Sequence, residues 1–471
     1  MKPIQTLLEN RVFYFSLIIS IAFFFILYQI NVEDLWYDEI ASFWVADPNM
    51  SFQETNDRWL KSENTPILYY IIIKFFFNLF GYDPNLLRIV NIPLFIISLI
   101  YFNSILSKVS KNIFFIFFAS LLFIFNSFLI AYAQEGRVFM LFCMLSLMLI
   151  NQYMLLNQPF KNIAYAKFQY FILFLLTFTL LNTFIFSLLI LGSIIFYEIF
   201  LKINKINYII LVLIFLPIVL FILINYQFLL NLMKFDSPIQ HLDINFYYNF
   251  YFKQFFGSKI MGLFFLIFFL WSIFYFIKLK IKNENITLIF LIIFFSYFVP
   301  IIYGFFFTPV LQDKYIIYVV PLIILIISYF ITHYFNVRKN NMLVGFIILL
   351  SLSNQLFKNY KSDINKPMFK SAIEKVIKIN KSKLIYASYS DNKNEHVNSQ
   401  LQNYFKHLSL VRINNLSIIK KPLNNNFFLI CYDSSNTYNF CSKNKELKFS
   451  GYQLSHETRF YQVILFHYTK K

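Results

Sequence analysis

Glycine and cysteine are both scarce. Eight Gly in 471 residues leave no glycine-rich loop of the kind that cradles nucleotide phosphates. The three Cys say little about redox compartment. Cys143 lies inside an apolar run and reads as inert packing. Cys431 and Cys441 lie in a polar tail and could pair if that tail is outside the cytosol. Charge is sparse too: 14% of residues, with 23 acids against 41 Lys and Arg. A net charge of +18 first suggests nucleic acid, but no Arg-rich motif or nucleic-acid module is visible. Lys and Arg placed between membrane spans explain the excess, so no nucleic-acid partner is expected. The run Val12–Ile30 has no small-residue cleavage site and ends in Tyr28-Gln29, so it reads as an uncleaved first span. No internal repeat is evident, which weakens a transporter reading built on inverted halves.

What the chain has in abundance is apolar length. It is 59% hydrophobic and carries 65 Phe. Runs of about 18 or more apolar residues recur, each long enough to cross ~30 Å of hydrocarbon, and backbone in lipid must bond within itself, so the runs are helices. Eleven spans are expected, at about 12–30, 87–107, 112–132, 138–156, 168–182, 184–201, 207–226, 260–277, 286–304, 315–335 and 341–357. Segment 66–80 is short and has Lys74 at its middle, so it reads as an interfacial helix, with Lys74, like Lys259, snorkelling to water. Every inferred inner loop is then basic: Lys108 and Lys111; Lys161 and Lys167; Lys202 and Lys205; Lys278, Lys280 and Lys282; Arg338 and Lys339. Segments 31–86, 133–137, 227–259 and 307–314 fall on the outer, extracytoplasmic side, and so does the tail.

The tail is rich in Lys, Asn and Ser. Helical spacing over Met368–Ile379 and Val397–Leu408, and strands at Leu384–Tyr389, Phe427–Tyr432 and Tyr461–Tyr468, predict a small α/β domain. The expected architecture is a polytopic helical membrane domain over 1–357 and an extracytoplasmic α/β domain over 358–471, in the cell (inner) membrane.

Charged groups gather in the outer segments. Asp38-Glu39 follows the first span, and Glu135 and Arg137 flank a minimal turn between two long spans. Lys314-Tyr315 stands at the mouth of the tenth span. Ionisable residues this close to hydrocarbon are functional-site candidates. Acids suit a general base or a divalent cation, for which Asp38, Glu39 and Glu135 are the candidate ligands; Arg and Lys suit a phosphate. A site with both, at a lipid surface, fits a phosphate-bearing lipid substrate. His241 reads as solvated, and Tyr247, Tyr248 and Tyr251 as an interfacial aromatic belt or a substrate entrance.

The sequence also resembles a known family. Trp36-Tyr37-Asp38-Glu39, Asn64-Thr65-Pro66-Ile67-Leu68-Tyr69-Tyr70, Leu79-Phe80-Gly81 and Leu87-Arg88 are similar to the opening of glycosyltransferase family 39-type membrane proteins. Ala133-Gln134-Glu135-Gly136-Arg137 resembles their second outer-loop motif, and Asp313-Lys314-Tyr315-Ile316 through Pro321 their late Arg-Tyr-Leu…Pro motif. These are GT-C enzymes related to protein O-mannosyltransferases and the lipid A aminoarabinose transferase. The resemblance implies a GT-C fold, a polyprenyl-phosphate sugar donor, and a lipid, glycan or protein acceptor met on the outer face. It implies Asp38 as general base, Glu39 and Glu135 completing the acid cluster or holding a divalent cation, and Arg137 and Lys314 stabilising the departing phosphate. Arg58 and Lys61 are further phosphate candidates. Inverting displacement is the expected chemistry. The chain departs from the family pattern at Asn64, where a His is common, at Lys314, where Arg is frequent, and at Asn182-Thr183, where many relatives carry Thr-His. A lipid-linked-sugar transporter or flippase and a polysaccharide polymerase are the alternative readings.

Overall fold

The computed structural model describes residues 11–28, 30–31, 33–159, 162–202, 206–233, 251–279, 283–334, 337–360, 367–379, 384–389, 399–401, 403–404, 412–415, 426–432 and 452–471. Lys161, Lys205, Lys280, Lys282, His241, Tyr247, Tyr248, Cys441 and most of the helix expected over 397–408 lie outside the described residues. The chain packs as two units. The first comprises Met1–Tyr28, Asn64–Tyr69 and Val90–Lys361; the second comprises Gln29–Glu63, Tyr70–Ile89 and Ser362–Lys471. The tail therefore shares its unit with most of the first expected outer segment.

The first unit is helical. Its elements are α1 (Arg11–Leu27), α5 (Asn91–Val109), α6 (Ile113–Ile124), α7 (Ser127–Ala133), α8 (Phe139–Leu156), α9 (Ile163–Leu181), α10 (Ser187–Phe196), α11 (Tyr208–Ile224), α12 (Tyr226–Met233), α13 (Phe252–Phe255), α14 (Lys259–Lys278), α15 (Glu284–Phe306), α16 (Val319–Tyr334) and α17 (Val337–Tyr360). Each of the eleven expected apolar runs carries a helix. Among the described residues five helices are long and apolar enough to cross a membrane, and two bent pairs, α6 with α7 and α11 with α12, bring that to seven. The protein is a multi-pass membrane protein.

Two helices form the interior. Residues 316–328, which include most of α16, are all buried, and 89% of α8 is buried. Helices that are apolar all round belong in such a position. Around them α9 and α14 expose large apolar side chains, among them Phe168, Phe171, Leu263 and Ile267, as a surface facing lipid tails requires. Polar groups inside the bundle are paired. The Tyr14 hydroxyl on α1 and the Ser120 hydroxyl on α6 both donate to Asn103 Oδ1 on α5, at 2.5 and 2.9 Å. Buried Glu198 accepts from Lys202 Nζ (3.0 Å), the Asn207 amide (3.2 Å) and the Tyr153 hydroxyl, joining the ends of α8, α10 and α11. Gly262 on α14 is a close-approach point: a Cβ there would lie 2.5 Å from the Lys253 nitrogen, so α13 packs backbone-on against α14.

The second unit holds three short helices, α2 (Tyr37–Val45), α3 (Phe52–Ser62) and α4 (Leu68–Phe80, from Tyr70 onward), then α18 (Phe369–Ile379) and a five-stranded sheet. The strands are β1 (Leu384–Tyr389), β2 (Arg412–Asn415), β3 (Asn426–Tyr432), β4 (Tyr452–Phe460) and β5 (Val463–Lys470), in the order β2-β1-β3-β5-β4. β1 runs parallel to β2 and β3, while β5 runs antiparallel to β3 and β4. Alternate residues Phe427, Leu429 and Cys431 of β3 pack with Ile464, Phe466 and Tyr468 of β5 on one face. β2 and β4, not expected from sequence, are the two edges, where polar side chains are tolerated and the apolar alternation that marks a strand is lost.

Candidate active site

The sequence-predicted residues divide between the units. Glu135, Arg137 and Lys314 belong to the first; Asp38, Glu39, Arg58 and Lys61 belong to the second.

In the first unit the turn between α7 and α8 is held from several directions. Gln134 Nε2 donates to the carbonyls of Ile26 (2.7 Å) and Tyr28 (2.8 Å), closing the C-terminal end of α1, whose last carbonyls have no partner within the helix. Asn91 Nδ2, at the start of α5, donates to the carbonyls of Glu135 and Arg137, the latter at 3.4 Å. Asn91 Oδ1 accepts from the Tyr69 hydroxyl at 3.3 Å. The Arg137 amide returns to the Glu135 carbonyl at 2.7 Å, closing a three-residue turn. The main chain of the Glu135 and Arg137 pair is thus fixed by side chains from distant segments, and the Arg137 side chain is buried.

Lys314 joins this cluster through aromatic rings. It lies in the short 3-10 turn Asp313–Ile316 that leads into α16, with Nζ 5.4 Å from the Phe139 ring and 5.8 Å from that of Tyr315. Such contacts hold an ammonium without neutralising it. Tyr315 packs on Phe184 (5.2 Å) and Phe186 (5.1 Å), from the segment after Asn182-Thr183. Asn182 Oδ1 accepts from Asn225 Nδ2 (3.0 Å). Asp313, which sequence reasoning quoted but did not single out, belongs here as well. Its Oδ1 accepts the Lys314 amide at 2.7 Å, and Tyr132 lies within electrostatic reach of both Asp313 and Glu135. Burial raises the Asp313 carboxyl above its usual range, opposed by the Lys314 amide and charge. The signal for it was adjacency: an acid directly before the expected phosphate-binding Lys.

In the second unit α2 carries Asp38 and Glu39 in its first turn, where acids suit the helix dipole. Asp38 is part-exposed and its carbonyl accepts from the Ser42 hydroxyl at 3.1 Å. Glu39 is fully buried and is gripped by Arg88, itself 2% exposed: Nε donates to Oε1 and Nη2 to Oε2, both at 2.8 Å. Oε2 also accepts the Trp36 amide at 3.3 Å. Arg88 spends its remaining donors on the carbonyls of Ile30 (2.9 Å), Glu33 (2.8 Å) and Asp34 (2.9 Å). This planar fork fits the carboxylate and gathers the strand of chain leading into α2. Arg88 was missed as a site residue; a charged side chain that must be buried and paired was the available signal.

The phosphate candidates of this unit differ from one another. Arg58 donates to the Trp44 carbonyl (2.7 Å), stacks over the Trp44 ring (4.6 Å) and lies 3.6 Å from Asp47, so it closes the end of α2. Lys61 is exposed in the last turn of α3. Lys74, expected to snorkel, instead donates to the carbonyls of Asp47 (2.8 Å) and Met50 (2.6 Å) and to the Thr55 hydroxyl (2.9 Å). All three ammonium protons are used within the fold, on two carbonyls of the loop after α2 and one hydroxyl of α3. Among the described residues no group of three His, Cys, Asp or Glu side chains could hold a metal ion. Glu39, with both oxygens taken by Arg88, does not fit the role of cation ligand.

No family model matches this chain, and no curated protein matches it in sequence. Its fold does have counterparts. It is similar to ArnT from Cupriavidus metallidurans, solved bound to undecaprenyl phosphate, with a TM-score of 0.59 at 9% identity over 96% of this chain and 98% of that one. The apo form of ArnT gives the same TM-score and identity, over 97% of its chain. The oligosaccharyltransferase of Archaeoglobus fulgidus, solved in complex with Zn and sulfate, gives 0.50 at 10% identity over 86% of this chain and 58% of that one. At such identities the likeness is one of fold: this chain has an ArnT-like fold, a bundle of apolar helices with a small sheet at the C-terminus.

Proposed function

We propose that this protein transfers a sugar from a polyprenyl-phosphate donor to an acceptor hydroxyl on the outer face of the cell membrane, with inversion at the anomeric carbon. The observation that carries the reading is the fold match to ArnT along nearly the full length of both chains, in a structure that holds undecaprenyl phosphate. The charge inventory supports it. In the first unit Lys314 supplies a cation beside aromatic rings and Arg137 a buried one, and Asp38 supplies a part-exposed carboxylate in the second.

The acceptor oxygen attacks the anomeric carbon as the bond from that carbon to the phosphate oxygen breaks. The acceptor proton passes to the Asp38 carboxylate. Negative charge grows on the departing polyprenyl phosphate, and Arg137 and Lys314 meet it; preorganised cations aimed at developing charge are the strongest lever available for such a step. Glu39, held by Arg88, fixes the first turn of α2 and so the position of Asp38. Glu135 orients the acceptor or the sugar through its carboxylate.

Asp38→Asn tests the assignment. In a strain lacking the native gene, mass spectrometry of surface glycans identifies the missing sugar and its acceptor. Complementation with Asp38→Asn is expected to reproduce the loss while the protein inserts and folds normally. Full restoration of the glycan refutes the role of Asp38.

A further inference from the structure

Within the second unit, the tail domain grips α2 near both ends. Before the helix, Asp34 Oδ2 accepts the amides of Lys370 (2.7 Å) and Ser371 (3.4 Å), capping the first turn of α18, which opens the tail domain. The carbonyl of the same residue accepts from Arg88 Nη2 (2.9 Å), which in turn holds Glu39 at 2.8 Å. One residue therefore ties the tail helix by its side chain and the Arg88–Glu39 pair by its main chain. Toward the end of α2, Asn403 of the tail donates to the Tyr82 hydroxyl (2.7 Å). That hydroxyl donates to the Phe43 carbonyl (2.9 Å), and the Tyr82 ring stacks on Phe43 at 4.0 Å. Next to Asn403, the buried Tyr404 lies within electrostatic reach of Asp34, Arg88 and Glu39 and bonds to the backbone of Leu35.

We propose that the C-terminal α/β domain is a positioning element for the helix that bears Asp38, acting through Asp34 at its entry and Tyr82 at its end. A nine-residue helix is too short to hold itself in place by its own hydrogen bonds. Its placement comes from what clamps it, and both clamps begin in the tail. Asp34 and Tyr82 act through other groups and touch no reacting atom. The catalytic consequence rests on the role proposed for Asp38; the mechanical coupling does not.

The test uses the full-length protein in detergent or nanodiscs. Amide hydrogen exchange over residues 37–45 is measured for Asp34→Ala, Asp34→Asn and Lys375→Met. Lys375 bonds Thr458 Oγ1 (2.8 Å) within the tail and serves as the control for a perturbed tail whose clamps are intact. Asp34→Ala should speed exchange over 37–45 by roughly fivefold, the factor that goes with a lost helix cap. Its kcat should fall on the order of tenfold with donor KM within about twofold, as misplacement of a reacting group predicts. Asp34→Asn keeps an acceptor oxygen and should sit near wild type in both readouts, as should Lys375→Met. Faster exchange confined to 369–373, with 37–45 unchanged, would reduce Asp34 to a local cap and overturn the proposal. Loosened 37–45 with wild-type kcat would overturn its catalytic half. If Asp38→Asn proved fully active, the role proposed for Asp38 would fall while the exchange data still decided the coupling.

Discussion

Removing the Arg88 guanidinium is the severest single perturbation the structure offers. Arg88 makes five hydrogen bonds, two to a Glu39 that is 0% exposed and three to the carbonyls of Ile30, Glu33 and Asp34. Arg88→Met keeps much of the volume and deletes the charge. It leaves a buried carboxylate without its cation, which costs about 3–5 kcal/mol. The three carbonyls lose their donors as well, adding about 1 kcal/mol each where water does not replace them. Against a total stability of about 5–15 kcal/mol, the variant should be close to unfolding in this unit. Glu39→Leu in the same chain removes the stranded charge, so the double variant should recover about 3 kcal/mol relative to Arg88→Met; that recovery plus the cost of Glu39→Leu alone is the coupling in a double-mutant cycle. Arg88→Lys keeps the charge but has three donors in place of five and no planar fork, and should lose about 2 kcal/mol. Denaturant unfolding in detergent followed by tryptophan fluorescence suits the question, because Trp36, Trp44 and Trp59, three of the four Trp, lie in this segment. An Arg88→Met midpoint equal to wild type, or a coupling below about 0.5 kcal/mol, would refute the argument that the pair holds α2.

Lys74→Met should cost about 2–3 kcal/mol, since three acceptors lose a charged donor, and limited proteolysis should show faster cleavage within 46–51. Gln134→Leu should release the end of α1 at about 1–2 kcal/mol, read as faster amide exchange at residues 25–28 with α8 unchanged. Asp313→Asn tests a sign. Burial raises the folded-state carboxyl above the ordinary 3.8, so the stability linked to its proton is present below that value and lost as pH rises through the folded pKa. The Asn variant should therefore gain on wild type as pH climbs from about 4 toward neutrality, in unfolding midpoints measured across that range. A flat difference, or one of opposite sign, would show the carboxylate to be well paired when charged.

The apolar helices were legible because sustained hydrophobicity is a one-dimensional property; it needs no knowledge of neighbours. β1 was legible for a similar reason, its residues Leu384–Tyr389 matching the expected bounds, whereas β2 reads Arg-Ile-Asn-Asn and owes its strand state to the parallel neighbour β1. Asp38, Glu39, Glu135, Arg137 and Lys314 stood out because charge is rare in this chain. Their environments did not. The Arg88 partner lies 49 residues away, and Asn91 reaches a turn 44 residues on, distances that no local spacing encodes. Lys74 shows the cost of reading a lone charge by its chemistry alone: a snorkelling lysine and one saturated by three acceptors look alike until the loop that supplies the acceptors is placed. Neutral amides such as Gln134 and Asn91 carry no alarm at all, since either state of burial suits them provided a partner exists. The asymmetry has a physical basis. Burying a charge in an apolar chain costs several kcal/mol unless a specific partner is built, so each charged residue poses the question of its partner even where the sequence cannot answer it. Arg88 poses that question most sharply, and its answer, Glu39 and three carbonyls before α2, is what turns an acidic dipeptide after a membrane span into a fixed helix end bearing a carboxylate.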